Sequence, residues 1–139
     1  MRRRLTMITH WTVSMLTFVL LVQGPSNPVI VWIYAVAGAV MVALAIVFGL
    51  MSGPGPKLEG IARVAHPWMH RAMYALVGLA SGLLIMAQLG ATPPVDPMLF
   101  VKIIAGAAGL HAVFHLWRHT TLMDGALRRM LPKAMHGVL

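Results

Sequence analysis

The chain contains no cysteine. That removes disulfides, thiolate-held haem and iron–sulfur clusters carried by this polypeptide, and it leaves histidine as the principal ligand for transition metals. Acidic residues are nearly as scarce: Glu59, Asp96 and Asp124 are the only three, and none falls inside a long apolar run. With so few carboxylates and no nucleophile–base pair, hydrolytic chemistry is a poor fit. Charged residues of both signs make up 10% of the sequence, against roughly a quarter in a soluble domain. The remainder is apolar, with 59% hydrophobic residues and a mean hydropathy of +0.81, which is the composition of an integral membrane protein. About 20 residues cross the hydrocarbon core as a helix, so the chain has room for four spans and short loops in a single domain, residues 1–139.

The four apolar runs cover about 5–22, 29–51, 66–88 and 98–117. The first follows three arginines, as a signal peptide would, but Gln23-Gly24-Pro25 has no small-x-small cleavage pattern, so the span is expected to be retained. Turn-forming residues separate the runs: Gln23 to Pro28, Ser52 to Lys57, and Gly90 to Pro97. Leu58 to Ala65 reads as a short interfacial helix, and the third span as starting near His66-Pro67, because proline is tolerated in a first helical turn. Gly78 and Gly82 form a small-xxx-small pair that suggests close packing; with Ala105 and Gly109 they can face either another helix or another subunit.

The net charge of +8 is unevenly placed. Arg2, Arg3 and Arg4 precede the first span, Lys57, Arg63 and Arg71 surround the second turnaround, and Arg118, Arg128, Arg129 and Lys133 follow the last span. Positive residues on one side of an even number of spans predict an all-α four-helix bundle with both termini cytoplasmic and the 118–139 tail on the inner surface. The basic excess then meets anionic lipid headgroups rather than nucleic acid.

An ionisable side chain inside a span is a functional hypothesis by default. His10 lies 14 residues before Gly24 and His111 lies 13 residues after Met98, so each is ~20 Å from the same membrane face at 1.5 Å rise per residue. Two histidines level on different helices suit the two faces of a haem iron, although interhelical hydrogen bonding accounts for them equally well. His66/His70 and His111/His115 are i, i+4 pairs, each on one helix face, and can chelate a divalent metal, contact haem propionates or lie wet at the headgroups. His66, His119 and His136 read as interfacial, and the twelve methionines as packing residues, one of which can in principle serve as an axial ligand.

Arg4-Leu5 followed by His10-Trp11, His70-x-x-x-Tyr74, and above all Gly109-Leu110-His111 with His119, Asp124 and Leu127-x-Arg129-Met130-x-Pro132, resemble bacterial cytochrome b561 and the hydrogenase-type b cytochromes. The motifs fall in order along the whole chain, and the terminal one is the most specific. The resemblance implies a four-helix bacterial inner-membrane protein that exchanges electrons with quinone. It implies an inner haem b ligated by His10 and His111, with His70, Arg63 and Arg71 as candidates for propionate or quinone contacts. The family's outer haem takes two further histidines, whose positions here are Tyr34 and Pro97. Proline has no donor atom, so the resemblance implies one haem, not two. Lys102, near that outer position, either snorkels to the headgroups or joins Tyr34 in binding an anion or a quinone carbonyl. The expected function is therefore a single-haem membrane cytochrome. The rivals are a haemless accessory or assembly subunit of a larger redox complex that keeps the scaffold, and a metal-ion carrier using the paired histidines. A homo-oligomer is compatible with any of the three.

Overall fold

The computed structural model describes residues 1–51, 53–131 and 136–137; Pro132 and Lys133, assigned to the sequence motif and the basic tail, lie outside them. The described residues form four long helices: α1 (Arg2–Gln23), α2 (Pro28–Phe48), α3 (Gly60–Gln88) and α4 (Pro97–Thr120). Each is long and apolar enough to cross a membrane. Successive helices pack side by side and α1 meets α4, which closes an up-and-down bundle. The start of α1, the end of α4 and the α2–α3 loop share one end, called here the basic end.

Two outer turns set helix starts by the same device. Asn27 accepts hydrogen bonds from the Val29 and Ile30 amides ahead of Pro28, and Asp96 accepts one from Met98 ahead of Pro97. A short polar cap satisfies amides that have no helical partner, and proline at the first helical position has no amide to satisfy.

The third helix departs from expectation. It begins at Gly60 and absorbs the stretch read as a separate interfacial helix, so Pro67 lies inside it. An interior proline removes the bond to the carbonyl four residues earlier and costs about 3 kcal/mol. The first turns are held nonetheless: Leu58 just before them is fully buried, and Arg63 donates to the Gly55 and Leu58 carbonyls.

The buried stripe of each helix follows a 3–4 spacing. It runs through Thr6, Thr9, Val13, Thr17 and Leu20 on α1, Val31, Tyr34, Ala35, Gly38 and Met41 on α2, and Val77, Ala80, Ser81 and Leu84 on α3. The outward faces carry exposed Ile8, Phe18, Val22, Ile46, Leu110 and Val113, so apolar surface faces out and hydroxyls face in, as expected when lipid is the solvent. Thr9 and Thr17 satisfy their buried hydroxyls on backbone carbonyls of their own helix.

The tightest helix approach is α2 on α3 at Gly38, where a Cβ would lie 2.2 Å from Ser81 Oγ and 3.0 Å from Val77 Cγ1. The expected Gly78/Gly82 surface does not do this. Gly78 has ordinary clearance from Val42, and nothing lies within 4 Å of where a Cβ would stand at Gly82 or Gly109. Small residues permit contact only on the face that meets a neighbour; Gly78 is on such a face but without a close approach, and Gly82 and Gly109 lie off it.

Candidate functional site: a histidine cluster at the basic end

Extending the buried stripes toward the basic end leads to histidine on three helices. On α4 the inward positions Val101 and Ile104 continue at the 3–4 spacing through His111 and His115 to Arg118. On α3 the stripe runs back from Val77 to His70 and His66. On α1, His10 is beside buried Thr9. The upper bundle fills its centre with valine and leucine, and the lower bundle fills the same column with imidazole.

The rings are in mutual contact. Centroids of His66 and His70 are 4.3 Å apart, His111 and His115 4.5 Å, His70 and His111 5.0 Å, His70 and His115 5.3 Å, and His66 and His115 6.1 Å. His66, His70 and His115 each offer a ligand nitrogen within 4.8 Å of the other two, an arrangement able to hold a metal ion. From α1, partly buried His10 lies at the same end of the bundle, and its ring meets Trp11 edge-on at 5.8 Å. Trp11 in turn donates to the Met130 carbonyl at 2.9 Å, tying the tail beneath α1.

Hydrogen bonding within the cluster is incomplete. His70 Nδ1 is 2.7 Å from the His66 carbonyl; a carbonyl only accepts, so Nδ1 carries the proton and Nε2 holds the lone pair. His66 is fully buried, and neither of its ring nitrogens has a partner; His111 Nδ1 is also buried without one. A buried polar atom left unpaired costs about 1–3 kcal/mol, so the cluster has capacity for a ligand that the protein's own groups do not meet.

His66 is the main correction to the sequence reading, which placed it wet at the interface. With α3 starting at Gly60, His66 falls in the second turn of a continuous helix and points inward. Its i, i+4 relation to His70 was the available signal, obscured by taking Pro67 as a helix start. Arg118 is the other correction. It is fully buried and paired with Asp124, to which Nε donates at 2.8 Å, and its Nη2 donates to the Pro54 carbonyl at 2.8 Å. Arg118 follows His111 and His115 on the inward side of α4, so the ion pair closes the cluster from below. Gly55 is what allows the loop to pass there: its φ is +79°, and a Cβ would lie 3.4 Å from Arg118 Nη2.

The remaining candidates lie elsewhere. Arg63 is exposed and bonded to loop carbonyls. Arg71 is exposed with its guanidinium over Trp68 at 5.1 Å. Lys102 is on the exposed face of α4, whereas Tyr34 is fully buried in the core. Pro97 opens α4. His119 lies beyond the cluster with Nδ1 buried and unpartnered, and His136 meets the Leu131 carbonyl at 3.1 Å.

No protein-family model matches the chain, and neither a curated protein nor a solved structure is significantly similar to it.

Proposed function

We propose that the protein is a b-type membrane cytochrome that holds one haem b through His10 and His111 and exchanges electrons with the quinone pool. It is oriented with both termini in the cytoplasm of a bacterial inner membrane. The observation carrying this reading is that α1 and α4 pack together and each brings one partly buried imidazole, His10 and His111, to the same end of the bundle, where His111 Nδ1 is buried without a partner. Axial ligation of low-spin haem asks for two imidazoles from different helices.

The donor set supports one haem and not two. At the family's outer position the chain offers the core hydroxyl of Tyr34 and the helix-opening Pro97, which cannot form an imidazole pair. When bound, the haem supplies a one-electron couple at iron. The protein's part is to orient and insulate it. His10 is steadied by Trp11, whose indole is fixed to the tail. Apolar side chains above the cluster exclude water, and Arg118 with Asp124 closes the basic end. With Arg63 and Arg71 exposed and engaged, Arg118 is the guanidinium beside the cluster, its charge paired with Asp124.

Haem content per chain, measured as the pyridine haemochrome after haem-replete expression, tests the proposal. One haem per chain with a reduced b-type α band is expected, and His10→Ala and His111→Ala should each lose it. Absence of the band from well-folded protein, or unchanged haem content in His111→Ala, overturns it and favours a haemless subunit of a larger complex.

A further inference from the structure

We infer that His66, His70 and His115 form a transition-metal site of their own, selective for borderline divalent ions of the zinc, cobalt and nickel class and separate from the His10/His111 pair. It does not rest on the cytochrome reading, because neither axial residue belongs to it.

Three features carry the inference. The ligand nitrogens already lie within 4.8 Å of one another, whereas nitrogens bound tetrahedrally at about 2.0–2.1 Å are roughly 3.3 Å apart; modest ring rotations close the difference. His66 is fully buried with both ring nitrogens unpartnered, a condition that binding a metal through one of them relieves. His70 has its Nδ1 proton committed to the His66 carbonyl, which fixes the tautomer and leaves Nε2 as donor. Metal-bound histidines characteristically donate their second nitrogen to a carbonyl or carboxylate in this way.

Composition sets the class of ion. Three nitrogens, with no thiolate and no carboxylate directly in the set, suit zinc, cobalt and nickel, and are too few and too soft for magnesium or calcium. Arg118 is close, but its charge is paired with Asp124, so the ion does not meet an uncompensated cation. His66 and His70 come from α3 and His115 from α4, so a bound ion joins the two helices at the basic end. The fourth position is left to water or a small anion, as in zinc sites that keep an open coordination place.

The test is a Co²⁺ titration of the full-length protein, purified in detergent without a histidine tag. One ion per chain is expected, giving the intense visible bands of a four-coordinate centre, which Zn²⁺ abolishes. His66→Ala and His115→Ala should each lose the four-coordinate bands, because two imidazoles remain where three are needed, while leaving the thermal midpoint of the metal-free protein within a few degrees of the parent. Co²⁺ should raise the parent's midpoint and not that of the variants. His10→Ala and His111→Ala should lose haem and keep Co²⁺ affinity within about threefold. Because haem and Co²⁺ are read separately, failure of one assignment is distinguishable from failure of the other. Weak six-coordinate bands only, affinity unchanged in His66→Ala, or equal loss in His111→Ala would each overturn the site.

Discussion

A guanidinium with no solvent exposure needs a counter-ion, and Arg118 has one in Asp124, whose other oxygen accepts from the Ala126 amide at 2.9 Å. The pair joins the end of α4 to its own tail, and through the Pro54 carbonyl to the α2–α3 loop. Removing one partner strands the other in a low-dielectric setting. Asp124→Asn is therefore expected to destabilise the protein by about 3–5 kcal/mol, read as a lowered thermal midpoint in detergent. Arg118→Lys should fall between parent and Asp124→Asn, because a single ammonium cannot reproduce the fork that engages both carboxylate and carbonyl. A count of charges alone assigns Arg118 the role of one more lipid-facing cation. Its burial depends on Asp124 returning to it six residues later and on the passage of the loop at Gly55, neither of which follows from hydropathy. His10 and His111 stand out by their shared depth, whereas the i, i+4 spacing of His66/His70 and His111/His115 leaves open whether they face inward or lie wet at the headgroups.

Helices were legible wherever sequence chemistry marks an end without ambiguity. Asn27-Pro28 and Asp96-Pro97 fix the starts of α2 and α4 within one residue of expectation, since cap and proline act together over two adjacent positions. His66-Pro67 carries proline without a cap before it, and there the same rule misplaced the start of α3 by six residues. Helix packing was less readable still, because glycine spacing does not say which face meets a neighbour. Gly38 shows the consequence. A methyl group there overlaps Ser81 Oγ and presses on Val77, so Gly38→Ala is expected to cost about 1–3 kcal/mol as an overpacked contact. Ser81→Ala removes the closer of the two clashing atoms, and the double variant should recover part of the lost thermal midpoint. Gly82→Ala, with open space around it, should be neutral or stabilising by up to about 1 kcal/mol through helix propensity. If Gly82→Ala is the damaging change and Gly38→Ala is silent, the α2–α3 register described above is wrong.

At the scale of the whole molecule, charge and topology reinforce each other. The up-and-down bundle places the start of α1, the α2–α3 loop and the α4 tail at one end, and that end gathers the basic residues. Arg2 donates to the Gly49 carbonyl, Arg3 to the carbonyls of Arg128 and Arg129, and Lys57 to that of Met123. Three chain segments are thus stapled beside an open cleft of about 550 Å³ that Arg2, Arg3, Arg128 and Arg129 help to line. The opposite end has Asp96 and, among the described residues, no lysine or arginine in its loops. In the orientation proposed, the basic end is the one retained in the cytoplasm, because short basic loops resist translocation. A fluorescent protein fused after the last residue should accordingly be bright, and a phosphatase inserted in the loop at Ala91 should be active, since that enzyme works only outside the cytoplasm. Replacing Arg2, Arg3 and Arg4 together by asparagine should weaken the bias without abolishing it, because the loop and tail cations remain. An active phosphatase at the C-terminus of the parent protein would instead put the histidine cluster on the outer side, and would move the proposed electron exchange to the opposite membrane surface.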